Sequence, residues 1–303
     1  MKIKPLSAHS VAQDFVAVYQ KTMSEVILTE RNTPHRVLSL RPSQMPFCVR
    51  EFFINHALGG LDRNLDLAGA FYTSVGTTVH SVMQAYLCQS GRFFADYYCR
   101  ECETWHRQSY VHECCGFPTQ YHEISVNYKG IKGHTDAVYK DKKGKLWILD
   151  FKTTSLKSAP KKQKNPGTQY VEQIETYAVL FELQYKMKIE GIVDAFIVRD
   201  NPRTDPAVYA KMLTDPMRAR VKTRLARYKK MHRETLDAST LKEVLALLDY
   251  ERCTNSLCSV CKRDEQVIRN KMKVAFKNGV VNGNVPIRAM AERALKASTD
   301  HKR

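Results

Sequence analysis

The spacing of apolar and polar residues divides the chain into a helical beginning, a strand-rich middle and a helical end. Residues 10–29 carry apolar side chains at helical spacing, which predicts an amphipathic helix. Helices are also predicted at 47–57 and 76–88. Residues 99–118 are dense in Cys, His and Tyr and show no clear period, which indicates a compact loop or a small ribbon.

From Glu123 onward the pattern changes to the period of two that is typical of strands. Three strands are predicted at 123–130, 131–141 and 145–155, with Lys142-Lys143-Gly144 as the hairpin turn between the last two. The elements predicted after them are a helix at 169–187, a buried strand at 191–200, and helices at 206–233 and 240–250. Strands flanked by helices at both ends predict a mixed α/β core with helical additions.

Charge and composition narrow the class of partner. The chain has 303 residues, and 48 basic residues against 31 acidic ones give a net charge of +17, which favours a polyanionic partner such as nucleic acid. The basic excess is concentrated in residues 157–164, 218–233 and 262–303. Because no base-reading motif accompanies it, we expect contacts to the backbone and ends of a nucleic acid and not to its bases. No apolar run approaches the ~20 residues of a membrane span, and the first residues lack a signal peptide, so we expect a cytoplasmic protein.

Two carboxylates and a lysine form the strongest local signal. Asp136 ends the run Gly-His-Thr-Asp in one predicted strand, and Asp150-Phe151-Lys152 follows in the next. Alternation places Asp150 and Lys152 on one face and Phe151 on the other. Carboxylates of this kind suit Mg²⁺ or Mn²⁺, although a charged surface strand with a salt bridge would give the same short pattern.

These residues also resemble a known family. The run GHTD, a hairpin, ILDFKTT and then Gln173-x-x-x-Tyr177 on the next helix resemble the PD-(D/E)XK nuclease superfamily, in its RecB-like branch. That branch includes phage exonucleases and the nuclease of CRISPR adaptation. Its Gly-x-x-x-His helix motif is matched by Gly76 and His80, and the resemblance covers about residues 45–262. It implies a restriction-endonuclease-like α/β fold, with a mixed sheet flanked by helices.

The resemblance implies a role for each matching residue. The implied ligands of Mg²⁺ or Mn²⁺ are His80, Asp136, Asp150 and the backbone carbonyl of Phe151. Lys152 would position or activate the attacking water, and Gln173 and Tyr177 would contact DNA near the scissile phosphate. Glu123 begins the first strand, where some relatives have an acidic residue; a surface role is the alternative.

A first set of cysteines lies near the two ends of the chain. Cys253, Cys258 and Cys261 supply three thiols, and a four-ligand site needs one more, for which Cys48 is the remote candidate. The same nuclease branch has members whose [4Fe–4S] cluster is held by one cysteine before the core and three after it. The spacing does not separate an iron–sulfur cluster from zinc on the same thiols.

A second set lies in the Cys-rich stretch. Cys99-x2-Cys102 and His112-x2-Cys115 have the spacing of a small zinc ribbon, with Cys114 beside it. A Cys-rich loop without metal is the alternative.

These observations predict a metal-dependent DNA nuclease, an exonuclease acting from DNA ends in recombination, replication or repair, with a phage origin as one interpretation. Two alternatives stay open: a CRISPR-adaptation nuclease working with an integrase, and a non-catalytic DNA-end-binding iron–sulfur protein. No P-loop is present, so unwinding would need a helicase partner; a strand-annealing protein is another candidate partner.

The same pattern suggests four regions. They are an N-terminal helical region (1–75), a nuclease core (76–200) with the ribbon at 99–115, a second helical region (201–262) and a basic tail (263–303).

Overall fold

A computed structural model describes residues 13–18, 20–21, 25, 41–43, 48, 67–201, 203–237, 240–246, 261 and 265–277. Residues 13–18 are helical, within the helix predicted at 10–29. Of the helix predicted at 47–57, all but Cys48 lies outside the described residues, as does the end of the one at 240–250. The basic tail beyond residue 277 also lies outside them.

The helices and strands follow one another in this order. The helices are α1 (Leu67–Leu87), α2 (Ala159–Lys164), α3 (Thr168–Tyr185), α4 (Asp215–Asp237), α5 (Leu241–Ala246) and α6 (Glu265–Lys277), with a short 3₁₀ turn at Cys88–Ser90. The strands are β1 (Phe93–Cys99), β2 (Thr104–Ser109), β3 (Glu113–Cys114), β4 (Phe117–Pro118), β5 (Gln120–His122), β6 (Ile124–Tyr128), β7 (Ile131–Thr135), β8 (Ala137–Lys140), β9 (Leu146–Thr154), β10 (Ile189–Val198) and β11 (Ala207–Met212).

A mixed sheet forms the centre of the described part of the chain, as predicted. Its seven strands lie in the order β11-β10-β9-β8-β1-β2, with β5 also paired to β1. Strands β9 and β10 are parallel, and the other pairs are antiparallel. A parallel pair needs a long crossover, and α3 lies in the connection between β9 and β10. The hairpin turn before β9 is present, with Gly144 at φ +76°.

Helices cover both faces of this sheet. Residues 173–181 of α3 are all buried, because the helix lies between the sheet and α4. Apolar residues of α4 recur at helical spacing on the buried face: Met217, Val221, Leu225, Tyr228 and Met231. On the opposite face, Phe93, Phe151 and Ala195 form a smaller cluster that contacts Met83 of α1. Among the described helices, none is long and apolar enough to cross a membrane.

Two predicted elements were wrong in their extent. The strand predicted at 131–141 is interrupted at Asp136, because β7 pairs with β6 in a separate ribbon whereas β8 joins the main sheet. The helix predicted at 206–233 starts only at Asp215. Residues 207–212 form the edge strand β11, because pairing with β10 overrides their weak helical pattern.

The basic segment 218–233 has a structural role that the sequence did not indicate. Three of its arginines pair with acidic residues of α3: Arg218 with Glu182, Arg220 with Glu175, and Arg224 with Glu172. Glu175 is fully buried, so its charge needs a partner. Part of the positive charge in this segment therefore stabilises the packing of α4 on α3.

Candidate active site

The predicted catalytic residues come from three elements that meet at the central strand β9 of the sheet. His80 lies on α1, Asp136 lies between β7 and β8, and Asp150 and Lys152 lie on β9. Because Asp136 stands where the chain passes from the ribbon to the main sheet, its carboxylate reaches the backbone of the neighbouring strand β9. The Phe151 amide donates a hydrogen bond of 2.7 Å to Asp136 Oδ2.

His80 approaches the same carboxylate from the α1 side. His80 Nδ1 lies 3.3 Å from Asp136 Oδ2, and the imidazole also hydrogen-bonds the backbone of Phe151. Burial, and then the charge of Lys152, lower the pKa of His80, so the neutral imidazole is favoured. Burial and the nearby charge of Asp150 raise the pKa of Asp136 well above its ordinary value. A cation at this position would lower the pKa of Asp136 and would further favour the neutral imidazole of His80.

Asp150 and Lys152 lie on the α3 face of the sheet, and Phe151 points to the α1 face. Asp150 is almost fully buried, and its Oδ2 forms an ion pair with Lys152 Nζ. Burial opposes the charge on Lys152, but Asp150 and Asp136 outweigh burial and raise the pKa of the ammonium group. Lys152 is therefore a cation held against the carboxylates.

Gln173 and Tyr177 point toward these carboxylates from one face of α3. Gln173 Nε2 lies 3.5 Å from Asp150 Oδ1, a long hydrogen bond. Tyr177 is buried, which raises the pKa of its phenol, and its ring lies against Gly133 of β7. A Cβ at position 133 would lie 2.9 Å from Tyr177 Cε1, so the ring can approach only a glycine.

Glu123 is half-buried and lies beside this group. Gln84 lies one turn after His80 on α1. Its side-chain amide donates a hydrogen bond of 2.7 Å to Glu123 Oε1 and another of 3.1 Å to the carbonyl of Asp136. The Tyr121 hydroxyl donates a hydrogen bond of 2.6 Å to the same carbonyl. Gln84 was missed from sequence, although its spacing of four from His80 places it on the same helix face.

Asp194 is a second residue that the sequence reasoning missed. It lies directly beside Asp150 in the parallel register of β10 and β9. The residue is fully buried, and neither carboxylate oxygen has a hydrogen-bond partner among the described residues. Burial, and then the charge of Asp150, raise its pKa to about 7. A charged residue in the middle of an otherwise apolar strand was the available signal.

The structure brings together two cysteines of the first set. Cys48 Sγ lies 3.5 Å from Cys261 Sγ, although the two are 213 positions apart. Burial is the main cause that raises the pKa of Tyr228, on α4, to about 12, and the charge of Cys48 adds a small contribution. The Cys48 thiol therefore lies beside α4. Cys253 and Cys258 lie outside the described residues.

The second set of cysteines is grouped differently from the prediction in one residue. The grouped thiols are Cys99, Cys102, Cys114 and Cys115, with their sulfur atoms within 4.8 Å of one another. His112 is not in this group. Its imidazole packs against Gly91, and its Nδ1 lies 3.3 Å from the carbonyl of Tyr110. The turn after β3 brings Cys114 and Cys115 beside Cys99 and Cys102, and His112 lies outside this group of thiols.

The donors around Asp136 and Asp150 fit a divalent cation. They comprise carboxylates, a backbone carbonyl and an imidazole whose neutral form is favoured, and oxygen donors of this kind suit Mg²⁺ or Mn²⁺. Asp136, Asp150, Asp194 and Glu123 carry more negative charge, when ionised, than Lys152 alone neutralises. The excess favours binding of a cation.

The family of the chain follows from a comparison with known protein families. The family model described as the PD-(D/E)XK nuclease superfamily matches residues 92–265, more than half of the chain. The chain therefore belongs to the PD-(D/E)XK nuclease superfamily, and the resemblance inferred from its motifs is confirmed.

Comparisons with individual proteins give only distant likenesses. No curated protein sequence matches significantly. The crystal structure of SSO0001 aligns at 13% identity with a TM-score of 0.37, over 72% of this chain and 88% of that one. An alkaline exonuclease (LHK-Exo) from Laribacter hongkongensis aligns at 11% identity with a TM-score of 0.40, over 65% and 89% of the two chains. Its complex with dAMP aligns at 11% identity with a TM-score of 0.39, over 68% and 93%. Likenesses this distant carry no information on substrate.

Proposed function

We propose that this protein is a metal-dependent deoxyribonuclease that hydrolyses phosphodiester bonds from DNA ends. The observation that carries the proposal is the meeting of His80, Asp136, Asp150 and Lys152 at the central strand β9 in a chain of this superfamily. A protein that only binds DNA has no need for this group, because buried carboxylates repel a phosphate backbone unless a cation accompanies them.

We assign the cation to His80, Asp136, Asp150 and the carbonyl of Phe151. When bound, Mg²⁺ or Mn²⁺ lowers the pKa of a water molecule and offsets the negative charge that builds on the phosphate. The chain's own groups position this chemistry. The Phe151 amide orients Asp136, and Gln173 orients Asp150, so that the carboxylates are held before a substrate arrives.

Lys152 and Tyr177 act on the substrate side of the same site. The ammonium of Lys152 stays protonated among the carboxylates and can direct a water molecule and offset charge on the phosphate. The raised pKa of Tyr177 keeps its phenol a hydrogen-bond donor, suited to a phosphate oxygen. Gln173 would contact DNA through the amide atoms that are not hydrogen-bonded to Asp150.

The DNA is bound through its backbone. The lysines of segment 157–164 follow shortly after β9. Lys162 and Lys152 both lie near the ring of Tyr170, which supports positive charge beside the site. On α4, exposed Lys222, Arg227 and Arg233 add positive surface beyond the arginines that pair with α3. Contacts of this type predict binding without sequence preference and with a steep dependence on salt.

An iron–sulfur cluster is part of the proposal. The contact between Cys48 and Cys261 supports a four-thiol site completed by Cys253 and Cys258, which would join the two ends of the chain around the nuclease core. Protein purified without oxygen is expected to be brown, with absorbance near 400 nm. Colourless protein whose zinc disappears in Cys261→Ser would assign zinc to this site instead.

We place the activity in recombination, replication or repair in the cytoplasm of a bacterial or phage-infected cell. A strand-annealing protein or a helicase would be the working partner there. Copurification with an integrase would favour spacer processing in CRISPR adaptation.

The experiment that tests the function uses end-labelled single-stranded, duplex and circular DNA with Mg²⁺ or Mn²⁺. Linear DNA is expected to be shortened from an end, and circular duplex is expected to remain intact. Lys152→Ala and Asp150→Ala should abolish cleavage and retain DNA binding, whereas Lys142→Ala, in the exposed turn at the other end of β9, should cleave normally. Full activity in Asp150→Ala would refute the site, and cleavage of circles would refute the need for an end.

A further inference from the structure

We propose that Cys99, Cys102, Cys114 and Cys115 bind one structural Zn²⁺ ion as four thiolate ligands. This site is separate from the nuclease centre and from the cysteine pair of Cys48 and Cys261. It differs from the ligand set that sequence spacing predicted, because His112 is replaced by Cys114.

The four sulfur atoms lie within 4.8 Å of one another, and two of their separations match a zinc tetrahedron. A tetrahedral site with Zn–S bonds of about 2.3 Å has sulfur atoms about 3.8 Å apart. Cys102 Sγ lies 3.7 Å from Cys114 Sγ, and Cys114 Sγ lies 3.8 Å from Cys115 Sγ. None of the four is in a disulfide, whose sulfur atoms would be about 2.05 Å apart. The thiols therefore have the separation of ligands and not of a bonded pair.

The surrounding backbone needs a crosslink. Strands β3 and β4 have two residues each and pair only with one another, and such a short hairpin is not stable alone. Two turns in this region hold non-glycine residues in the left-handed conformation, Glu103 at φ 52° and Cys115 at φ 54°. Each costs about 1–2 kcal/mol. A bound metal offsets these costs by joining the end of β1, the turn after it and the β3–β4 turn.

The chemistry of the group favours zinc. Soft thiolates in a tetrahedral arrangement select Zn²⁺ over the hard cations expected at the carboxylate site. Zinc would displace the protons of the thiols on binding, because the thiolate is the form that binds metal.

The site lies on elements that also support the proposed nuclease centre. Strand β1 ends at Cys99 and pairs with β5 through Asp96, Tyr97 and Tyr98. Strand β5 carries Tyr121, whose hydroxyl donates to the carbonyl of Asp136, and leads into Glu123. Ordering β1 and β5 would therefore steady the loop that presents Asp136. This last consequence rests on the proposed nuclease function, whereas the zinc site does not.

The experiment compares Cys114→Ser with His112→Ala in the full chain. Zinc is counted by mass spectrometry of the metal after gel filtration, with Cys261→Ser as a control for the other cysteine set. Cys114→Ser is expected to lose one zinc per chain relative to wild type, and His112→Ala and Cys261→Ser are expected to retain that zinc. Undiminished zinc in Cys114→Ser, or its loss in His112→Ala, would overturn the ligand set.

A second measurement does not depend on whether the cysteine variant folds. Wild-type protein reconstituted with Co²⁺ is expected to show the intense sulfur-to-cobalt absorption of a four-thiolate tetrahedral site. The spectrum is expected to be unchanged in His112→Ala. A spectrum that changes in His112→Ala, or no tetrahedral cobalt signal at all, would reject the proposal. Both readouts are independent of DNA cleavage, so a failed nuclease assay would not affect them.

Discussion

Replacement of Asp194 by Asn is expected to make the protein more stable at pH 8 than wild type. Asp194 is fully buried, and its two oxygens have no hydrogen-bond partner among the described residues. Burial raises its pKa from the ordinary 3.8 to about 7. The folded protein therefore binds a proton at this site more tightly than the unfolded chain does.

The sign and size of the effect follow from this pKa shift. A raised pKa of an acid means that its contribution to stability is fully present below about pH 4 and is lost as the pH rises through about 7. A shift of about 3 pKa units corresponds to roughly 4 kcal/mol in total, of which about 2–3 kcal/mol falls between pH 5 and pH 8. Asn has nearly the same shape and carries no charge, so the variant avoids this loss.

Urea unfolding at pH 5 and pH 8, without added divalent ions, measures the difference. Wild type is expected to lose about 2–3 kcal/mol more than Asp194→Asn between the two pH values. Asp205→Asn is the matched control, because Asp205 is exposed, and it should behave as wild type. Equal pH dependence in wild type and Asp194→Asn would refute the reasoning. A variant that is less stable than wild type at pH 8 would instead show that Asp194 is held by a cation.

Three further substitutions test the packing around the site. Gly133→Ala would place a Cβ 2.9 Å from the Tyr177 ring. We expect this variant to lose DNA cleavage at least tenfold while its melting temperature stays nearly unchanged. Normal cleavage would show that Tyr177 has no role. Gly191→Ala would place a Cβ 2.5 Å from the carbonyl oxygen of Lys211, and urea unfolding should show a loss of about 2–3 kcal/mol. Arg218→Ala removes a largely buried guanidinium that joins α4 to Glu182 of α3. We expect the free energy of unfolding to fall by about 3 kcal/mol. A fall below about 1 kcal/mol would mean that the ion pair is solvated.

Local pattern was sufficient for the strands that carry the motif. The alternation around Asp150 and Lys152 depends only on the geometry of one extended strand, and the turn before β9 depends on a glycine that can adopt positive φ. Both features were predicted correctly, because no distant residue is needed to produce them. The helix α3 was also predicted within two residues of its observed ends.

Strands that depend on distant partners were not predicted. Strand β1 has seven residues, its aromatic sequence lacks a regular alternation, and it becomes a strand because β8, β2 and β5 pair with it. Strand β11 was predicted as helix, although its partner β10 lies just before it in the chain. In both cases the hydrogen bonds that stabilise the extended backbone come from other strands, and the pattern within the segment does not indicate them.

The sequence by itself determined the chemistry of this protein: the carboxylates, the lysine, the helix histidine and the thiols that are available for binding metals. Which of these meet was decided by the tertiary structure. Asp194 stands beside Asp150 because two parallel strands take one register, and Cys48 meets Cys261 across 213 positions. Cys114 and Cys115 lie beside Cys99 and Cys102, whereas His112 packs against Gly91. Spacing along the chain does not predict these contacts, because they depend on strand register and turn conformation.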